Sequence, residues 1–267
     1  MLNVKLRQAN HSDVPALKKL WQICFGDEMK YIDIFFDNMF IPEQTLVSEI
    51  DNYIAGVVYL LKRSLGDKVF LYGYAIGVLP EFRGKNICQI MLSKIKEYMD
   101  KNDYLFGLHP ANEKLAHFYQ RIGLNEMYSL KDVDATSFSY HEKFKLDDIT
   151  EDEFFNMRKN AFKNSVDWDK NTLGYMLKIG ETVKKVDIDG KMRYFVLSKH
   201  DKSLVVKETT ANDNEILKVS QSIKEYFDAV RIDYLLSSDS TLQGDVKPMI
   251  YGFSKKDDSV YMNLFLD

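Results

Sequence analysis

The stretch Gly77–Leu92, "GVLPEFRGKNICQIML", decides how the chain is read. An apolar strand end runs into Pro80, then into a basic glycine turn, then into an amphipathic run. Proline cannot donate to a strand ladder, so Pro80 ends the strand and turns the chain outward. From Gly84 to about Met99, the residues Ile87, Ile90, Met91, Ile95 and Tyr98 recur at helical spacing. Arg83, Gly84, Lys85 and Asn86 therefore cluster where a helix begins. The first N–H groups of a helix lack intrahelical partners, and the dipole adds about half a positive charge there. A packed surface turn needs no such cluster. A turn that cradles an anion does.

Two phosphate-binding motifs do not fit the stretch. The nucleotide-hydrolase loop needs four residues between its glycines and Ser or Thr after the lysine. Here six residues separate Gly77 from Gly84, and Asn86 follows Lys85. The dinucleotide fold needs G-x-G-x-x-G inside a parallel βαβ unit. That spacing is absent, and the neighbouring strands read as antiparallel. A pyrophosphate cradle at a helix N-terminus is a third reading, and a surface strand-to-helix turn that carries basic residues by chance is its alternative.

Working outward, "TLVSEI", "YIAGVVYLLKR" and "KVFLYGYAIGV" are strand-like runs joined by "DN" and "SLGD", which predicts an antiparallel meander. Before them, "NVKLRQA" alternates as a first strand. "HSDVPALKKLWQICFG" predicts a helix capped by Ser12 and stopped at Gly26, and "EMKYIDIFFDNMF" predicts an aromatic-rich second helix. After them come a short buried strand, "DYLFGLH", a helix, "NEKLAHFYQRIG", and a strand, "LNEMYSLKDV". The first half reads βααβββ–loop–αβαβ. Around residues 135–150 the pattern restarts. Two helical segments, three strands with "DG" and "HDKS" turns, the helix "NDNEILKVSQSIKEYF" and the strand "AVRIDYLLSS" follow in order, then two closing strands. The repeated order suggests a degenerate repeat matched in pattern, not in identity.

The bulk numbers bound the class. A chain of 267 residues with 45% apolar and 28% charged residues builds a sizeable core. A net charge of −4 and a pI near 5.8 argue against a general nucleic-acid binder. Cys24 and Cys88 are far apart and without CxxC spacing, which fits a reducing compartment and offers neither a disulfide framework nor a zinc site. The opening "MLNVKLRQANHSD" lacks a signal-peptide core, and no apolar run has the length of a membrane span. The expectation is a cytoplasmic protein with no metal, membrane or nucleic-acid partner.

The loop and a second motif together resemble the GCN5-related N-acetyltransferase (GNAT) superfamily. Val78, Pro80, Arg83 and Gly84 match the flanks and start of its acyl-CoA loop, R/Q-x-x-G-x-G/A. About twenty residues later, "PANEKLAHFYQRIGL" places Asn112, Phe118, Tyr119 and Gly123 as in the superfamily's later helix. The resemblance covers roughly residues 1–140. Asn86 and Cys88 stand where the superfamily has Gly and Gly or Ala. Asn tolerates left-handed backbone angles, so Asn86 is expected to hold the same turn, and Cys88 is small enough for close packing.

The resemblance implies an α+β fold: a GNAT acyl-CoA-binding catalytic domain over residues 1–138, with a mixed, mostly antiparallel twisted sheet flanked by helices. A smaller α+β domain over residues 139–267 resembles a degenerate GNAT core and is expected to shape the acceptor cleft. It implies an N-acyltransferase in which a primary amine attacks the thioester of acetyl-CoA directly. The fourth and fifth strands would splay, leaving Ile76, Gly77 and Val78 as an edge that pairs with pantetheine like an added strand. An N–H near Ile76 would polarise the thioester carbonyl. Arg83, Gly84, Lys85, Asn86, Ile87 and Cys88 would surround the pyrophosphate, with Asn112 and Tyr119 completing the cofactor site. Tyr119 stands at the superfamily's frequent tyrosine acid; core packing is its alternative role.

An amine of pKa near 10.4 is neutral in only about one molecule in 10³ at pH 7, so a base is needed. Glu49, Tyr74, His109 and His117 are candidates, as is the terminal carboxylate of Asp267, since related two-domain aminoglycoside-type acetyltransferases use their C-terminus. Phe25, Tyr31, Phe35, Phe36 and Phe40 are candidates for an acceptor pocket, with packing as the plainer role. The acceptor, a small-molecule or peptide amine, is not readable. Two rivals stand: a non-catalytic CoA-binding regulatory module, and an aminoacyl transferase built on tandem GNAT-like domains. The second half lacks an arginine–glycine loop and offers "ANDNE" instead, so one bound acetyl-CoA per chain is expected.

Overall fold

The computed structural model describes residues 3–254 and 261–262. The first half contains β1 (Lys5–Gln8), α1 (Val14–Phe25), α2 (Met29–Asn38), β2 (Thr45–Ile50), β3 (Tyr53–Leu65), β4 (Lys68–Val78), α3 (Ile87–Asn102), β5 (Leu105–Leu108), α4 (Glu113–Arg121) and β6 (Asn125–Asp134). The second contains β7 (Leu146–Asp148), α5 (Glu151–Ala161), α6 (Lys170–Lys178), β8 (Thr182–Ile188), β9 (Lys191–His200), β10 (Ser203–Thr209), α7 (Asp213–Tyr226), β11 (Arg231–Ser237) and β12 (Asp245–Gly252). The expected order of the first half is found element by element. In the second half the short β7 is an addition, and the closing run "YMNLFLD" lies outside the described residues apart from Tyr261 and Met262.

Turn chemistry fixes the meander. Asp51 (φ 49°) and Asn52 (φ 66°) both adopt left-handed angles, which matches the twist of the β2–β3 hairpin. Gly26 (φ 81°) ends α1 as expected. Ser12 is not the cap. The Asn10 side chain accepts from the Ser12 N–H at 2.9 Å, and the Asn10 N–H donates to Asp13 at 2.8 Å. This box closes a short 3-10 turn that feeds α1, two residues before the expected cap.

All twelve strands form one mixed sheet, in the order β1-β2-β3-β4-β5-β12-β6-β11-β10-β9-β8-β7. The β4–β5 and β10–β11 pairs are parallel, and the others are antiparallel. The arrangement β2-β3-β4, α3, β5 recurs as β8-β9-β10, α7, β11. The final strand of each half leaves its own half: β12 lies against β5 and β6, while β6 lies against β11.

The layers follow from side-chain alternation. On one face, Leu17, Trp21 and Phe35 share a core with Phe154, Tyr175 and Tyr194 of the second half. Separate cores seat α3 and α4 (Ile87, Met91, Ile95 and Tyr119) on the first half and α7 (Ile216, Val219 and Ile223) on the second. Each fully buried side chain of this kind contributes about 1.5–3 kcal/mol. Arg63 reaches Thr172 at 2.6 Å and Asp169 at 3.3 Å, and Lys178 reaches Asn38 at 2.7 Å, which docks α6 on the first half. Arg158, 4% exposed, pairs through two nitrogens with the fully buried Glu208 at 3.0 and 3.2 Å. Among the described residues, no helix is long and apolar enough to cross a membrane.

Gly107 sits between β4 and β12, opposite Tyr72 and Gly252. A Cβ there would meet Ile250 at 2.7 Å and Phe70 at 2.9 Å. Gly107→Ala is expected to destabilise the protein by about 1–3 kcal/mol through overpacking. A fall in the denaturation midpoint at unchanged slope is the measurement.

Candidate active site

The site begins with a mismatch between β3 and β4. Tyr59 pairs with Tyr74 and Val57 with Gly77, so β4 carries one residue more than β3 across this interval. Ala75 absorbs the excess at φ 43°, a left-handed angle that is strained for a residue with a Cβ. On its other side β4 pairs with β5 from Phe70–Leu105 to Gly73–Leu108. Tyr74 and His109 are the first residues past that split.

The open edge has a definite polarity. Gly77 pairs with Val57, and the Leu79 N–H donates to Ala55 at 2.9 Å. Gly77 and Leu79 therefore direct their backbone groups at β3. Alternation along the strand turns those of Val78, and of Ile76 after the bulge, toward the side that β5 has left. The expected pantetheine edge, Ile76–Val78, is this segment.

The loop that follows is built from left-handed residues. After a 3-10 turn at Pro80–Phe82, Gly84 (φ 74°) and Asn86 (φ 60°) fold the chain into α3. Asn86 thus holds the turn expected of it. Its side chain makes no capping bond, so α3 presents the N–H groups of Ile87, Cys88 and Gln89 without a side-chain cap. The helix begins at Ile87, three residues later than its periodicity predicts, because Gly84–Asn86 form the turn itself. Arg83 and Lys85 fold back on the loop: Arg83 Nε donates to the Val78 carbonyl and Lys85 Nζ to the Glu81 carbonyl, each at 2.9 Å. An open groove of about 500 Å³ runs from Asn86 along Gln89, Ser93 and Lys94.

Tyr119 joins the two motifs. Its ring is 6% exposed, and burial first, then the neighbouring Cys88, push its phenol well above the usual range. The half-buried Cys88 thiol is itself pushed up to about 12 by burial. Asn112 acts locally, since its Oδ1 accepts from the Leu115 N–H at 3.0 Å and caps α4.

The base candidates separate. Glu49 is ion-paired with Arg7 at 2.6 Å on β2, two strands from the open edge, and Arg7 holds its carboxyl below the usual range. His117 is exposed on α4. Tyr74 meets Tyr175 of α6, hydroxyl to hydroxyl, at 3.1 Å. Asp267 lies outside the described residues. Among the aromatics, Phe35 is fully buried against Trp21 (4.7 Å) and Tyr59 (4.9 Å), whereas Phe25 and Tyr31 are 44% and 41% exposed. Sequence reasoning missed Ala75 and Tyr175. Nothing marks an alanine for a left-handed angle, and Tyr175 shows only as one apolar position of a short helix.

The second half repeats the split and the bulge but closes both. β10 pairs with β11 only to Val206–Tyr234, and Lys207 is the extra residue against β9. Beyond it Glu208 is tied to Arg158, and Lys207 pairs with Glu181 at 2.9 Å. The start of α7 is capped by Asn212 and Glu215 in a reciprocal box, with Arg193 on Glu215. Asp213 at its first turn receives Ser240 and Thr241 from the loop after β11.

Residues 5–127 match the family model described as an acetyltransferase (GNAT) domain. This segment is a GNAT domain. Over nearly the whole chain the fold is similar to three solved structures. One is a GCN5-related N-acetyltransferase from Anabaena variabilis ATCC 29413 (15% identity, 93% of this chain and 72% of that one, TM-score 0.70). Another is Eis1 from Mycobacterium abscessus (10% identity, 93% and 72%, TM-score 0.67). The third is a GCN5-related N-acetyltransferase from Kribbella flavida (10% identity, 94% and 70%, TM-score 0.63). At these identities the likeness is one of fold. No curated protein matches the chain in sequence.

The left-handed Asn86 makes a selective test of the GNAT loop. Asn86→Gly is expected to leave CoA affinity within about two-fold, since glycine adopts this angle freely. Asn86→Val, β-branched at φ 60°, is expected to weaken it about ten-fold or more. Calorimetry of the two variants is the check.

Proposed function

We propose that the protein is an acyl-CoA-dependent N-acyltransferase that moves an acetyl group from acetyl-CoA to a primary amine of a small molecule or peptide. The observation that carries this reading is the β4 edge that β5 leaves, followed through the Pro80–Asn86 turn by a helix N-terminus without a side-chain cap. One end suits the amides of pantetheine as an added strand, and the other suits a pyrophosphate. The groove along Gln89, Ser93 and Lys94 continues from that point and takes the nucleotide end.

In the proposed mechanism the acceptor amine, freed of its proton, attacks the thioester carbon. The N–H of Ile76 stabilises the oxyanion, and collapse expels the CoA thiolate. Tyr119 donates a proton to the thiolate. Its burial keeps the phenol protonated at neutral pH, as an acid must be. Tyr74 and His109, at the two lips of the split, are placed to relay the proton that the amine loses. The segment 139–267 is read as a degenerate GNAT-like domain whose α6 walls the acceptor side. The closed start of α7 supports a non-binding role, because Asn212 and Glu215 already take up donors there and the carboxylates of Asp213 and Glu215 would repel a pyrophosphate.

Tyr119→Phe is expected to lower kcat about 10²-fold at near-unchanged acetyl-CoA affinity. Thiol-release kinetics over an amine panel, paired with calorimetry, check it; full activity would return Tyr119 to a packing role. Binding of CoA with no acylation of any amine would favour a regulatory module. The same calorimetry is expected to give one acetyl-CoA per chain. A stoichiometry of two would make the second half a working site.

A further inference from the structure

The two faces of the split are furnished differently. α3 packs on one face in its own core, and α1, α2 and α6 close the other. On that second face the end of α1 overhangs β4. The ring of Phe25, 44% exposed, comes within 3.4 Å of where a Cβ on Gly77 would stand. The Trp21 ring, one turn earlier, is centred 5.9 Å from that of Phe25 and 5.8 Å from that of Tyr74. Gly26 then turns the chain at φ 81°, and the exposed Asp27 comes back onto Trp21, whose buried indole N–H donates to its Oδ2 at 2.7 Å. Lys18 is taken by Asp33 at 2.7 Å and Lys30 by Glu28 at 2.9 Å, and among the described residues no Lys or Arg reaches Asp27. This is a poor place for a carboxylate that serves only the fold. It stands just past a helix C-terminus, where the dipole favours a cation, and a neutral amide oxygen would satisfy the indole as well.

We propose that Asp27 is a charge anchor for the acceptor: it binds a second ammonium group on the amine substrate, so that the acceptor is a diamine or polyamine whose chain passes Trp21 and Phe25 to reach Tyr74. The inference rests on the acyl-CoA reading of the site and names the class of acceptor that the reading leaves open. One indole separates the carboxylate from Tyr74, a gap that a few methylenes bridge. The surroundings select an organic cation. The exposed ring of Phe25 attracts an ammonium through its quadrupole and offers the methylenes an apolar surface. A single carboxylate among aromatic rings gives a hard metal ion too few oxygens. The anchor also sorts the two ends of the substrate. The ammonium beside Asp27 is held in its charged, unreactive form. The other end, at Tyr74, is the one that loses its proton and attacks the thioester.

The test uses the full chain with acetyl-CoA and two probes that differ only in the distal cation, pentane-diamine with an amine at each end and pentylamine. Wild type is expected to show kcat/KM about five- to ten-fold higher for the diamine, with the difference in KM, as an exposed ion pair and a cation–π contact together supply. Asp27→Asn keeps an acceptor for the Trp21 N–H and removes the charge. Its ratio is expected to fall to about two-fold, the statistical advantage of two reactive ends. Raising the ionic strength should erode the wild-type preference in the same way, which decides the matter without the variant. Calorimetry with CoA shows that the variant is folded. A carboxylate that only satisfies the indole moves neither ratio. Equal use of the two probes by wild type, a preference that survives Asp27→Asn or high salt, or a CoA-binding protein that acylates neither probe overturns the anchor and leaves the acyl-CoA reading standing. A wild-type protein that binds no CoA overturns that reading, and the anchor with it.

Discussion

Everything proposed for this protein depends on two neighbouring strands parting. β4 and β5 pair as far as Gly73 and Leu108, and then β4 alone continues. A buried strand edge is costly because each unpaired backbone group forfeits a hydrogen bond, so an open edge in a native protein has a reason. Here the parting is held from both sides. On one, the extra residue at Ala75 kinks β4 away. On the other, β12 grips the far edge of β5 through Leu108 and Gly107. The strained angle at Ala75 persists because β3, α1 and the α3 core all pin the strand around it.

The same device occurs twice in one sheet with opposite outcomes. In both halves a bulged strand parts from its parallel neighbour and leads to a helix. In the first, the helix starts on residues with left-handed angles and no cap. In the second, a reciprocal cap, a buried ion pair and a returning loop occupy the corresponding positions. The difference lies in a handful of side chains, among them Asn212, Glu215 and Asp213, and the backbone plan is shared. Charge and capping, more than fold, distinguish the two helix starts.

Much of the first half was legible because its signals are local. Helical periodicity, turn residues such as Asp51–Asn52, and the Pro80-to-Asn86 loop each act within a few positions. Asn86 was readable as left-handed because few residues other than glycine tolerate that angle. Ala75 was not readable, since its angle is imposed by register against β3 and not by its own chemistry. Nor was Tyr175 against Tyr74, a contact made across the fold by residues with no local mark. The cap of α1 was misplaced for a simpler reason: Ser12 and Asn10 are both good caps, and only the Asp13 carboxylate reaching back to Asn10 chooses between them.

The exchange of final strands also governs the order in which the molecule can come into being. β5 lacks a neighbour on its far edge until β12 has been made, about 140 residues later. During synthesis the first half must therefore wait with an exposed strand edge and an uncovered apolar face, a species open to wrong pairing. Its long-range contacts also make closure slow, because the loop entropy is lost before the contact is gained.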